Sequence, residues 1–170
     1  RPEFPADMQA MWERRLAAAL PIDHDTRPLQ VAAELGMEVY VQEWKAACDH
    51  LGIKAELFLM DRLSDANLVT SLPGSKGWVF VHSLVRESLK RQAELEGHRK
   101  FHHRAVAHIL GGRDGVATRR GRHLYEAGDL KESLAILLDG AKLCFHEARN
   151  VLGWELLLLR ETALRRMKVK

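Results

Sequence analysis

Chemistry in this chain would have to come from its histidines. One of them, His82, stands where a short alternating strand, Trp78-Val-Phe-Val81, runs directly into an amphipathic stretch, Ser83-Leu-Val-Arg-Glu-Ser-Leu89. An imidazole at such a joint sits at a helix N-terminus, where free N–H groups and the helix dipole favour anions. It can donate a hydrogen bond to a phosphate oxygen. The residues alone equally allow a core histidine that closes the hairpin and bonds to backbone. Four more, His98, His102, His103 and His108, follow downstream. His98 and His102 are one helical turn apart and Glu94 precedes them by another, so the three could share a face with ligand spacing. No cysteine lies near them, and Arg99, Lys100 and Arg104 would repel a divalent cation. No metal is expected.

Other chemistry is missing its parts. No Gly-x-x-x-x-Gly-Lys-Ser/Thr run occurs, and Gly74-Ser-Lys-Gly77 is too short and falls in a hairpin, not between strand and helix. No hydrophobic strand ends in the acids that would hold magnesium. No serine or cysteine nucleophile has an evident base and orienting acid. The expectation is that this chain is not itself an enzyme.

The elements that must position His82 follow from periodicity and breakers. Residues 6–19 read as a helix with Met8, Met11, Trp12, Leu16 and Ala19 on one side. The stretch 21–28, with a proline at each end, breaks it, and Thr26 is expected to cap a second helix that tolerates Pro28 in its first turn. That helix should end at Gly36 as a left-handed terminator. A third helix is expected over about 41–51, stopping at Gly52, and a fourth over about 54–66 with Leu57, Phe58, Met60 and Leu63 as its apolar face. Leu68-Val-Thr-Ser-Leu72 and Trp78-Val-Phe-Val81 read as two short strands joined through Pro73-Gly74. Three helices followed by a two-stranded wing is the order of a winged helix.

Beyond His82 the pattern is helical to the end. One long helix to about Leu110, or two parted near Glu96-Gly97, should stop at Gly111-Gly112. Helices over about 115–127 and 130–145 are parted by Ala127-Gly128-Asp129, and a last one covers about 147–167 with the apolar cluster Leu156 to Leu159. Gly121 and Gly128 have the spacing of the small residue and the turn residue of a tetratricopeptide pair, although Ser133 and Gly140 stand where alanine is usual. The expected fold is therefore mainly α, a winged helix followed by a tetratricopeptide-like arm. Its divisions are 1–24 (linker and helix), 25–90 (winged helix) and 91–170 (arm).

Composition sets the outer bounds. In 170 residues there are 26 Lys and Arg against 23 Asp and Glu, a mild excess that names no partner. Its distribution is uneven: residues 86–123 hold ten Lys or Arg against four acids, with five of the nine histidines. That stretch reads as a solvated helix surface or, failing that, an anion-facing one. Cys48 and Cys144 lie far apart in apolar helical contexts and read as buried thiols of a reducing compartment. No run approaches a membrane span and no signal peptide opens the chain, so a cytoplasmic protein without membrane association is expected. Arg1-Pro-Glu-Phe-Pro5 has no periodicity and reads as a linker or a cloning scar, as if the chain were an excised fragment.

The motif series Leu29-Gln-Val-Ala-Ala-Glu-Leu-Gly36, Leu59-Met-Asp-Arg-Leu63, Ala66-Asn-Leu-Val69 and Phe80-Val-His-Ser-Leu-Val-Arg86 resembles the winged-helix domain of STAND signal-transduction ATPases. Phe101-His-His-Arg-Ala-Val-Ala-His-Ile-Leu110 and Gly121-Arg-His-Leu-Tyr-Glu-Ala-Gly-Asp129 resemble the start of that family's superhelical sensor arm. The plant members usually carry Met-His-Asp at the joint, whereas this chain has Val81-His82-Ser83 and shares the histidine alone. The resemblance implies that His82 contacts the phosphates of a bound nucleotide and helps lock an inactive, ADP-bound state, with Arg86 as a neighbour on the same helix face. It also implies that an ATPase core binding ATP or ADP lies upstream. The wing half would dock on that core, and the arm would sense a protein or small-molecule inducer. This segment alone would neither bind nucleotide tightly nor hydrolyse it.

Two other classes are weighed against it. One is a plain helical scaffold for protein partners. The other is DNA binding, in which the helix at 54–66 would enter the major groove. That helix carries Lys54 and Arg62 against Glu56, Asp61 and Asp65, and the wing adds only Lys76, so phosphates would repel it and DNA is disfavoured.

Overall fold

Helix and strand periods along the chain become a mainly helical fold with one small sheet in the computed structural model, which describes residues 6–21, 24–113 and 115–168. The expected linker at 1–5 lies outside the described residues, as do 22 and 23 in the break after the first helix. The chain forms two compact units, Arg1–Arg99 and Lys100–Lys170.

In the first unit α1 spans Ala6–Ala19, α2 Arg27–Leu35, β1 Glu38–Tyr40, α3 Val41–His50, α4 Phe58–Asp65, β2 Val69–Ser71, β3 Gly77–Phe80 and α5 Ser83–Leu95. The centre is α2, whose residues Pro28 through Leu35 are all buried. A helix shielded all round must satisfy its own polar groups, and its Gln30 and Glu34 are partnered accordingly. Leu29, Trp44, Leu59, Leu63, Leu68, Phe80 and Leu89 complete the core. The Trp44 indole N–H donates to the Pro28 carbonyl at 2.7 Å, and its ring meets Trp78 edge-on at 5.0 Å. Burying so large a side chain while pairing its one donor is worth about 3 kcal/mol or more against alanine.

Several local expectations are corrected. Thr26 makes no side-chain cap, because its hydroxyl accepts instead from the Gln30 and Gln92 amides at 3.2 and 2.9 Å. Gly36 ends α2 with φ 148° and ψ −167°, which is not the left-handed helical conformation. The fourth helix starts at Phe58, not 54, and buries Leu59 and Leu63 while Leu57 and Phe58 stay exposed. On α1, Trp12 and Leu16 face inward but Met8 and Met11 are each 41% exposed.

The sheet has three strands where two were expected. Its order is β1-β3-β2, antiparallel throughout, with Val39 opposite Trp78 and Thr70 opposite Val79. Strand β1 contributes one buried residue, Val39, between two exposed ones, too short a run for alternation to register. Gly77 admits it: a Cβ there would strike the Val39 carbonyl. Between β2 and β3 the chain turns through a single 3₁₀ turn, Pro73–Ser75.

The second unit holds α6 (Arg99–Ile109, entered after its first residue), α7 (Ala117–Ala127), α8 (Leu130–His146) and α9 (Asn150–Lys168). The long stretch after His82 is thus two helices, parted at Glu96–His98. The α7–α8 turn uses Gly128 at φ 86°, with its N–H on the Tyr125 carbonyl and that of Asp129 on Leu124. Leu137, Ala141, Cys144 and Leu156 form the core, with Leu157 and Leu159 packed beside them. Leu158 is 61% exposed, so the apolar cluster at 156–159 is divided between core and surface.

Both cysteines are buried and free. Burial pushes the Cys48 thiol up to about 12, which makes it chemically inert. Among the described residues no helix is long and apolar enough to cross a membrane.

Candidate functional site

Strand β3 delivers the chain to His82 with Phe80 inside and Val81, His82 and Ser83 exposed. His82 is the N-cap of α5, with extended backbone at φ −137° and ψ 137°. Its Nδ1 accepts the Leu84 N–H at 3.1 Å, one of the donors a helix leaves unpaired at its start. An accepting Nδ1 carries no proton, so the neutral ring holds its proton on Nε2. The residue therefore bonds to backbone, as the core alternative required, yet remains exposed with a donor at Nε2.

The ring is also stacked. Trp12 of α1 lies 5.0 Å from it at an interplanar angle of 25°. Arg15, three residues along α1, places its guanidinium 4.7 Å from the Trp12 ring centroid and donates to the Ala66 carbonyl at 3.1 Å. Guanidinium, indole and imidazole are thus linked in succession. The sequence offered Trp12 only as a core position, and nothing in a span of seventy residues signals that it meets His82.

Arg86, four residues beyond His82, is directed elsewhere. Its Nε donates to the Ala33 carbonyl at 2.7 Å, tying α5 to the C-terminal end of α2, where a cation is favoured by the helix dipole. Its Nη1 lies 3.4 Å from Glu87. Arg86 is therefore a structural tie between helices.

Lower on the same helices lies a polar cluster. Gln30, fully shielded, donates to Glu96 at 2.7 Å, Gln92 donates to Glu96 at 2.9 Å, and His98 Nδ1 lies 3.3 Å from the same carboxylate. Burial acts to raise the Glu96 carboxyl, but the donors from Gln30, Gln92 and His98 outweigh it and hold it below its ordinary value.

The other histidines do not assemble as a ligand set. His98 is turned to Gln30 and Glu96, Glu94 pairs with Arg99 at 3.2 Å, and His102 is buried. His103 and His123 face each other with Nδ1 atoms 2.8 Å apart, so one donates and the other accepts. Among the described residues no group of three or more His, Cys, Asp or Glu is placed to hold a metal ion. In the second unit three arginines of the basic stretch are neutralised: Arg104 pairs with Asp129, Arg120 with Glu132 and Arg122 with Glu155, at 2.7, 2.7 and 2.6 Å. These are the interactions of a solvated helix surface.

No protein-family model, curated protein or solved structure matches the chain.

Proposed function

We propose that this chain is the regulatory middle of a STAND-type ATPase switch, in which a winged helix reads the nucleotide state and a helical arm senses a partner or inducer. Support for the winged helix comes from the order α2-β1-α3-α4-β2-β3 and from the hairpin of β2 and β3. The extra strand β1 strengthens it, since it joins the helical part to the wing through β3. For a tetratricopeptide-like arm the support is the close α7–α8 crossing. A Cβ at Gly140 would come within 3.0 Å of Thr118 backbone, and one at Gly121 within 3.1 Å of Leu137 backbone. An alanine at Gly140 would meet the facing backbone closely enough that the two helices would have to give by a few tenths of an ångström.

The observation that carries the reading is the state of His82. Nδ1 is held by the Leu84 N–H, the side chain is exposed, and the proton of the neutral ring is on Nε2 at a helix N-terminus. That arrangement fits an ADP phosphate oxygen, which would accept from Nε2 in the favourable field of the helix end. The ATPase core that supplies the remaining contacts and the hydrolysis belongs to the whole protein. In full-length protein, His82→Ala should weaken ADP binding roughly 10- to 100-fold, the usual worth of a hydrogen bond to a charged group, and raise basal output. ADP release followed by stopped-flow fluorescence measures this. Unchanged release would remove the nucleotide reading.

A scaffold role has an observation of its own. Val151, Trp154 and Leu158 are 77%, 62% and 61% exposed along one face of α9, an apolar stripe suited to a protein partner.

A further inference from the structure

An exposed imidazole that makes one hydrogen bond is poorly fixed. Water competes for the Leu84 N–H, and rotation about the Cβ–Cγ bond would swing Nδ1 out of line with that donor. His82 has a second restraint. The Trp12 indole covers one face of the ring at 5.0 Å and 25°, close to parallel. That indole is itself well held. Trp12 is only 9% exposed, and Leu16, one turn along α1, is 6% exposed. Arg15 lies against the Trp12 ring and is fastened by its Nη2–H to the Ala66 carbonyl, at the junction between α4 and β2. The indole is therefore anchored through α1, which packs on α5 and is tied by Arg15 to the end of α4, and the imidazole is clasped between a backbone donor and a flat surface on its face.

We infer that Trp12 is a positioning residue for His82: the indole fixes the plane of the imidazole, keeping Nδ1 in line with the Leu84 N–H, and that bond in turn leaves Nε2 directed away from the helix. Trp12 thereby makes α1 part of the nucleotide-sensing element. The hold on the ring follows from geometry alone; its consequence for nucleotide rests on the reading of His82 as a phosphate contact.

The test uses the 170-residue chain and the longer, ATPase-containing full-length protein that the proposed function requires. In the chain, long-range ¹⁵N–¹H imidazole spectra of His82 should show the Nε2-protonated tautomer, with ring protons shifted upfield by the indole. Trp12→Leu should abolish that shift and average the two tautomers. Trp12→Phe, which keeps a flat ring and most of the buried volume, should restore the Nε2 tautomer, separating loss of the stack from loss of fold. Unchanged His82 spectra in Trp12→Leu would overturn the inference. In full-length protein titrated with ADP, Trp12→Leu should weaken binding roughly threefold to tenfold and have no further effect on a His82→Ala background. Additive effects of the two substitutions would overturn the coupling. Tautomer averaging in Trp12→Leu with ADP affinity unchanged in both variants would instead overturn the nucleotide reading while leaving the hold of Trp12 on the ring established.

Discussion

Asp129 illustrates how single residues at the helix joints tie stability to pH. The Arg104 guanidinium bonded to it holds its carboxyl below the ordinary 3.8, against a smaller opposing effect of burial. Asp25 is lowered in the same way by Arg27, and Glu96 sits below 4.5 because its three donors outweigh burial. A carboxyl depressed in the folded state contributes stability that is complete above its unfolded value and is lost as pH falls through the folded one. The acid limb of stability should therefore begin below about pH 4.5. Asp129→Asn should cost less than about 1 kcal/mol near neutral pH, since the pair is partly exposed, and progressively less as pH falls below the ordinary carboxylate value. Urea midpoints across that range measure it; a difference that persists undiminished in acid would assign the effect to something other than the ion pair. At this scale His82 was legible, as a lone histidine at a strand–helix joint. Its partners were not. Trp12 and Arg15 read as ordinary residues of an amphipathic helix, and Thr26 read as a cap because pattern does not reveal that Gln92 competes for its hydroxyl.

The helices were legible because breakers bracket them. Gly128 with Asp129 marked the α7–α8 turn and Gly97 the break after α5, each where a side chain is strained or a backbone donor must turn back. Strand β1 was invisible, since its pairing is decided by what Gly77 leaves open on a strand nearly forty residues later. Gly77→Ala should push β1 off β3 and destabilise the first unit by about 1–3 kcal/mol, the usual cost of forced overpacking. Faster hydrogen exchange at the Glu38–Tyr40 and Gly77–Phe80 amides would report it, and unchanged protection would mean that β1 accommodates a side chain. In α4 the misread face has the same origin. Leu57, Phe58, Leu59 and Leu63 offer two equally apolar registers, and packing against the core chose Leu59 with Leu63.

On the scale of the whole molecule, the placement of charge points away from duplex DNA. The α4 surface exposes Asp61 and Asp65 beside Arg62, and the arginines at 104, 120 and 122 are engaged with acids of neighbouring helices. Duplex DNA should therefore show no shift with this chain at low salt, and a complex that weakens steeply with added salt would reverse that expectation. The central claim is that His82 reads nucleotide on an ATPase core. It is tested most directly by calorimetric titration of this chain into a separately expressed ATPase segment of the kind the proposal requires, with ADP, with ATP and without nucleotide. Docking that requires ADP and is lost in His82→Ala is the expected result. Docking indifferent to nucleotide, or equal with and without His82, would contradict it.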